Sequence, residues 1–268
     1  MNYDYSIIKY PRTPHLEGSR LQKGDEDLSQ VPFKHIFGRH IVIEEKIDGA
    51  NSAISFDGDG NLLLQSRGHY LSLSLDEYRE RHYNTLKRWA RANQDIFFDV
   101  LGDRYVMYGE WMYAKHTVFY DALPHYFMEF DIFDREKKEF LDTKRRREMT
   151  SKMGIVSSVP VIGEGFYTKK EDIISLIGHS NYITDNHIEN LREIARRHGL
   201  DVERQVNETD NSTTMEGLYI KLEEDGVVKE RFKYVRHEFV QQILASNSHW
   251  QSRPIVPNML KEGVDYYI

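Results

Sequence analysis

Lys46 ends an apolar, β-branched run, Ile41-Val42-Ile43-Glu44-Glu45-Lys46, and is followed by Ile47-Asp48-Gly49-Ala50-Asn51. An amine carried by a buried strand to the mouth of a glycine turn is held and partly desolvated, which lowers its pKa and makes it nucleophilic. Taken alone, the same residues fit a solvated lysine before a hairpin. Five later segments supply what nucleotidyl transfer to such an amine would need. Ser66-Arg67-Gly68 offers a guanidinium for a sugar or phosphate, or a plain surface arginine. Tyr108-Gly109-Glu110-Trp111 sets a carboxylate among aromatics, suited to ribose hydroxyls or a metal-bound water, or merely to a sheet edge. His125 to Phe133 alternates aromatics, one of which could stack on a purine, although a core strand reads the same way. Met215-Glu216-Gly217-Leu218-Tyr219-Ile220-Lys221 places Glu216 and Lys221 at either end of an apolar strand. Arg231-Phe232-Lys233 sets two cations at i and i+2, on one face of a strand, where both can grip a phosphate.

Periodicity and turn chemistry give the elements that must position these residues. Strands are predicted at 41–46, 52–56 and 61–65, the last two joined by the hairpin turn Asp57-Gly58-Asp59-Gly60. That turn mimics a calcium loop through Asp57, Asp59 and Asn61, but Leu62 stands at the required glycine and Gly68 at the closing acid. Tyr78, Leu86, Trp89 and Ala90 predict an amphipathic helix over 76–92, and further strands follow near 104–111 and 125–133. A helix capped by Asp142 or Thr143 should end at Gly154, and Thr168-x-x-Glu171 reads as a capping box opening another. An apolar face of Ile188, Leu191, Ile194 and Ala195 predicts a helix over 185–198, stopped by Gly199. The last strands, 215–222 and 227–235, flank Glu223-Glu224-Asp225-Gly226, and a short helix is expected at 237–245. The order is α+β, not the βα alternation of a Rossmann-type sheet. Residues 1–40 read as an irregular segment packed on a domain spanning 41–245, with a tail at 246–268.

The chain of 268 residues is 40% hydrophobic, enough for one sizeable core. It has no cysteine, which excludes disulfides, thiolate zinc sites and a cysteine nucleophile. Its 12 histidines are scattered without a His-Glu-x-x-His pattern, so no histidine metal site is expected. No signal-like leader or membrane-length apolar window occurs, so a soluble, cytoplasmic protein without membrane contact is expected. The net charge of −7 confines any nucleic-acid contact to a local patch. Lys144-Arg145-Arg146-Arg147 is the strongest basic run, and fits a solvated helix face or a phosphate-contacting surface. The cation-rich stretch from Lys9 to Arg20 fits either a structural clasp or a phosphate-binding flap.

Lys46-x-Asp48-Gly49, paired at long range with Glu216-Gly217-x-x-Ile220-Lys221 and with the other segments in the same order, resembles the six signature motifs of the covalent nucleotidyltransferase superfamily. The resemblance covers about residues 41 to 236. Asn51 looks most like the ATP-dependent RNA ligases of the bacteriophage RNA ligase 2 type. Asp48 instead looks like the DNA ligase form, and Arg231 replaces a common lysine. The resemblance implies an antiparallel-sheet adenylation domain with flanking helices. With only about 33 residues after Val235, no C-terminal OB barrel is expected.

The implied activity is ATP-dependent RNA ligation through lysyl-AMP, with Mg2+ or Mn2+ as the metal. Lys46 would attack the α-phosphorus of ATP, Glu45 would help recognise the adenine edge through its backbone, Phe130 would stack on the ring, and Glu110 would hold the ribose. Asp48 belongs to the catalytic loop. Arg67 and Asn51 would serve the steps in which AMP passes to a 5′-phosphate and a 3′-hydroxyl displaces it. Glu216, with Glu110, would hold the metal, and Lys221, Arg231 and Lys233 would neutralise phosphates. Lys221 and Lys233 beside Lys46 would also disfavour its protonated form. The substrate would be RNA with 5′-phosphate and 3′-hydroxyl ends, with DNA or hybrid nicks and end-processing repair partners also open. A DNA nick ligase, a GTP-using capping enzyme and a nucleotide- or RNA-binding protein without turnover are the alternatives.

Overall fold

The computed structural model describes residues 3–21, 30–239 and 254–266. Two six-stranded sheets dominate it. The first contains β1 (His15–Leu16), β2 (Gln30–Val31), β3 (His40–Lys46), β10 (Val161–Phe166), β11 (Gly217–Glu224) and β12 (Val227–Val235), in the order β10-β3-β11-β12-β1-β2. The second contains β4 (Ala50–Phe56), β5 (Leu62–Ser66), β6 (Tyr105–Trp111), β7 (Phe127–Asp134) and β8 (Glu139–Phe140) in the order β5-β4-β6-β7-β8, with β9 (Ser157–Ser158) also on β7. Pairing is antiparallel except where β1 meets β12 and β2, and where β9 meets β7. Helices α1 (Asn84–Ala92), α2 (Gln94–Leu101), α3 (Thr143–Met153), α4 (Lys170–Ile174), α5 (His187–Arg197) and α6 (Val202–Asn207) flank the sheets. The mixed α+β expectation with antiparallel sheets is met.

Strand alternation decides what each face does. In β3, β11 and β12, Ile41, Ile43, Leu218, Ile220, Leu222 and Phe232 form one buried apolar face, packed against Ile173 of α4. The register sets Lys46 opposite Gly217, Glu44 opposite Tyr219 opposite Lys233, and Val42 opposite Lys221 opposite Arg231 on the other face. The second sheet is divided in the same way. Ile54, Phe56, Met107 and Trp111 pack under Leu86, Trp89 and Phe97 of α1 and α2. On its opposite side Ala53, Val106 and Tyr108 pack with Tyr10 and the half-buried Tyr219, which closes the space between the sheets.

The hairpins form where the turns predict them. Asp57 Oδ1 accepts from the N–H groups of Asp59 and Asn61, and Gly60 takes φ +79°. Asp225 and Gly226 both have positive φ between the paired Glu224 and Val227, the signature of a two-residue hairpin turn that matches strand twist. Asp142 caps α3 through the Arg145 N–H, and Gly154 ends it in the left-handed region.

Three expectations need correction, and one strand was not foreseen. The helix expected from residue 76 opens as a 3-10 turn over Tyr78–Tyr83 before α1, and α2 follows at once across Asn93. The Thr168 capping box does not form: α4 has Lys169 at its N-cap with no side-chain cap. The basic run on α3 is not a wholly solvated face, because Arg146 is fully buried while Lys144 and Arg147 stay exposed. Finally, β10, with Gly163 and Gly165 in its centre, was not legible as a strand. The helix expected at 237–245 lies largely outside the described residues.

The N-terminal segment acts as a clasp. Its Tyr10 hydroxyl reaches Asp131 and lies 2.5 Å from the Tyr219 hydroxyl, deep between the sheets. The Ile8 carbonyl accepts from Tyr108 and Gln65, and the Pro14 carbonyl accepts from the Lys233 N–H.

Candidate active site

The chain crosses from the first sheet to the second through Ile47-Asp48-Gly49, so Lys46 and Asn51 end up on facing walls. Sterics fix this crossing. A Cβ on Gly49 would lie 2.6 Å from Met112 Sδ, 2.8 Å from the Trp111 carbonyl and 2.9 Å from Glu110 Cγ. The glycine of the second signature is equally constrained, because a Cβ on Gly217 would fall 1.9 Å from the Tyr234 carbonyl oxygen. Both glycines bring backbone close to backbone, and so bring Lys46 to Glu216.

Lys46 Nζ lies 2.7 Å from Glu216 Oε1, and the lysine side chain keeps 21% of its surface while the glutamate keeps 1%. Glu110 pairs across the strands with Asn51 and accepts from the Gly49 N–H at 3.2 Å. Asp48 braces the crossing. Its carboxylate accepts from the Thr117 N–H at 2.7 Å and the Val118 N–H at 3.2 Å and faces His116, while its own N–H donates to the Tyr120 hydroxyl. Asn51 Oδ1 is buried with no hydrogen-bond partner among the described residues, a vacancy suited to a ligand donor.

Electrostatics alter the expected state of the nucleophile. Burial alone would push the Lys46 ammonium down, but Glu216, Glu110 and Asp48 more than reverse it, and the amine holds its proton more tightly than a free lysine. The expectation of a depressed amine is therefore corrected. Burial pushes both Glu110 and Glu216 up to about 7 against the pull of Lys46. Arg67 also acts on Glu110, and Lys233 on Glu216, which places both cations near the cluster. Burial raises Asp48 too, but His116 and Lys46 outweigh it and keep the carboxyl below its usual range.

Lys221 goes elsewhere. It lies opposite Val42, four residues along the strand from Lys46, or roughly 13 Å at strand rise. It is fully buried, 3.0 Å from Glu44 and 3.2 Å from Asp131, and donates to the Phe130 carbonyl. Arg231 joins the same group, 3.5 Å from Asp131, with its guanidinium 4.1 Å from the Phe140 ring centre. The structure thus corrects the placement of Lys221 beside the nucleophile. Phe130 is the extra residue of a β-bulge between the pairs Tyr108–Asp131 and Gly109–Glu129. Its ring is half-buried, edge-on to Tyr10 at 5.1 Å. The Glu45 side chain turns to the opposite face, where its carboxylate ties down Ser180 and Asn181.

Tyr10, Glu44, Asp131 and Arg146 were missed as partners of this region. Glu44 carried the one readable signal, since it lies two residues before Lys46 and so on the same strand face.

Among the described residues no group of three or more His, Asp or Glu side chains is arranged to hold a metal. The donor set at Lys46 is two carboxylates, the buried Glu216 and the half-buried Glu110, which suits a hard cation that keeps most of its water and shares its remaining positions with phosphates.

The RNA ligase family model matches residues 39–235. No match is found among curated proteins. Solved structures of an RNA ligase from Naegleria gruberi are similar. A glutamate-to-alanine variant with ATP and manganese gives a TM-score of 0.53 at 17% identity over 88% of this chain and 58% of that one. A second glutamate-to-alanine variant, with AMP and manganese, gives 0.53 at 18% identity over the same shares. A lysine-to-alanine variant with ATP and manganese gives 0.51 at 16% over 79% and 53%. The chain therefore spans little more than half the length of those ligases, and at these identities the likeness is one of fold.

Proposed function

Since the chain belongs to the RNA ligase family, we propose that it is an ATP-dependent RNA ligase whose nucleophile is Lys46. The carrying observation is the placement of Lys46 Nζ at 2.7 Å from Glu216, with Glu110 among the other carboxylates acting on it. In the first step the amine, having lost its proton, attacks the α-phosphorus of ATP, an N–P bond forms, and pyrophosphate leaves with the electron pair of the broken P–O bond. In the second step a 5′-phosphate oxygen displaces Lys46 and takes the AMP. In the third a 3′-hydroxyl attacks the activated 5′-phosphate, loses its proton and releases AMP.

The chain's own residues divide this work. Three carboxylates hold the Lys46 proton in the resting site and orient Nζ. A divalent cation held by Glu216 and Glu110 would supply positive charge to the α-phosphate and compete with Lys46 for the carboxylates. Lys233 and Arg67 would meet phosphate charge, which is the main source of acceleration in phosphoryl-type transfer. Asn51 Oδ1 offers an acceptor to a ribose or terminal hydroxyl. Phe130 gives a half-open ring for the adenine. Arg231 and Lys221 act one layer deeper, by fixing the bulge that carries Phe130.

A sealing panel tests this reading. Wild-type protein with ATP and Mg2+ or Mn2+ should join RNA with 5′-phosphate and 3′-hydroxyl ends, run beside DNA and hybrid nicks, and Lys46→Ala should join none. Failure to seal any RNA substrate would remove the proposal. Sealing of DNA in preference to RNA would overturn its substrate half.

A further inference from the structure

The 3-10 turn over Tyr78–Tyr83 is pinned beside the site from two directions. Glu80 accepts from the Ser72 N–H at 3.0 Å and faces His69, two residues past Arg67. The His82 carbonyl accepts from Trp111 Nε1 at 2.8 Å, and Trp111 directly follows Glu110. Tyr83 is buried in the same core as Trp111. Outward from this anchorage, Tyr78 leaves 73% of its surface in solvent, and the Arg81 guanidinium lies over its ring at 4.6 Å.

The positive charge on this lip is clustered. At three residues per turn in the 3-10 segment and 3.6 in α1, Arg81, Asn84, Arg88 and Arg91 fall on one face. Arg88 and Arg91 are exposed, and neither has an ion pair among the described residues, nor have Arg67 and Arg79. Several surface arginines elsewhere are matched, as Arg104 is by Asp134, Arg145 by Glu139, Arg192 by Glu203 and Arg204 by Glu208, whereas Arg20, Arg147 and Arg196 are exposed one at a time and not in a row. The acid inside the stripe, Glu80, is taken by the buried Lys87 at 2.7 Å. On a chain of net charge −7 this is a local row of arginines without ion pairs among the described residues, with the exposed acids Asp76 and Glu77 confined to its start.

An exposed aromatic with a guanidinium over it, continued by a row of unpaired arginines, has the chemistry of a single-stranded nucleic-acid platform: a ring for a base, cations for successive phosphates. We propose that Tyr78 and the Arg81–Arg88–Arg91 face bind the single-stranded RNA flanking the end to be joined, leading that end past Arg67 to Lys46. The proposal rests on the ligase reading. It assigns these residues to the strand-dependent steps and not to lysine adenylation, which needs no strand.

The test uses the full chain, a fluorescent 5′-phosphorylated single-stranded RNA and anisotropy at several salt concentrations, with AMP-adduct formation measured in parallel. Tyr78→Ala should weaken RNA binding about tenfold. The triple variant Arg81→Ala, Arg88→Ala, Arg91→Ala should reduce the slope of log affinity against log salt by about 2, near 0.7 for each lost phosphate contact. Both should form the adduct at the wild-type rate, which also shows that they fold. Wild-type affinity and salt slope in variants that still form the adduct would overturn this proposal alone. Absence of the adduct in the wild type would remove the ligase reading and this one with it.

Discussion

Two lysines stand on one face of one sheet, Lys46 at its open end and Lys221 in its middle, and the protein treats them in opposite ways. Lys221 sits with Arg146 and Arg231 among Glu44, Glu129 and Asp131, three cations against three carboxylates, all but the edge of Arg231 screened from water. That cluster is closed. Burial alone would raise Asp131, but Lys221, Arg231 and Arg146 pull its carboxyl below the usual range. Lys46 is half-open and faces Glu216, Glu110 and Asp48, with Arg67 and Lys233 acting on those acids from further off, and burial pushes Glu110 and Glu216 up to about 7. Charge that is balanced inside a fold gives structure. Charge left partly open to solvent at its edge gives a place for a ligand.

The sharpest break in that comparison comes from exchanging the two lysines' fates. Lys46→Ala should abolish adenylation and sealing, a loss of at least about a thousandfold, while thermal unfolding stays close to wild type. Lys221→Ala leaves Glu44 and Asp131 without their cation and should cost about 3–5 kcal/mol of stability in urea titrations. Equal stability losses in the two variants would erase the distinction. Gly217→Ala should disrupt both regions at once, since its Cβ would overlap the Tyr234 carbonyl at 1.9 Å. A substantial loss of soluble, cooperatively unfolding protein is expected, and an unperturbed melting curve would show that β11 and β12 can part there.

The pH response gives a finer separation. Glu110 and Glu216 titrate near 7 in the fold, against about 4.5 in an unfolded chain. Between those values the folded state binds more protons than the unfolded one, so their contribution to stability falls as pH rises from about 4.5 through 7. Adenylation should run the other way, rising through about 7 as the two carboxylates ionise. Glu216→Gln should flatten both slopes and slow metal-supported adenylation by about 100-fold. An unchanged pH profile in Glu216→Gln would assign the titration to another group. The smallest effect is expected at the clasp: Tyr10→Phe removes one hydroxyl from Asp131 and Tyr219, and should cost about 1–3 kcal/mol with the adduct still formed.

The same contrast separates what the sequence discloses from what it conceals. Strands β3, β4, β11 and β12 were readable because apolar alternation and two Asp-Gly turns are local signals. Lys46, Glu216 and both signature glycines were readable as motif residues. Their physical reason, a Cβ-free crossing at Gly49 and at Gly217, needed coordinates. The closed cluster was illegible because its partners come from β3, β7, α3, β11 and β12, and nothing local in Lys144-Arg145-Arg146-Arg147 marks Arg146 as the one that turns inward. Lys221 was misplaced for a related reason: a motif gives the order of residues, while strand register gives the distance between them. The state of Lys46 was misjudged because its excess of acids comes from three separate segments.

The most direct measurement is intact mass followed by peptide mapping after incubation with ATP and Mg2+. The account predicts one AMP per chain, carried on Lys46 and absent from Lys46→Ala. No adduct, or an adduct on Lys221 or any other residue, would contradict it.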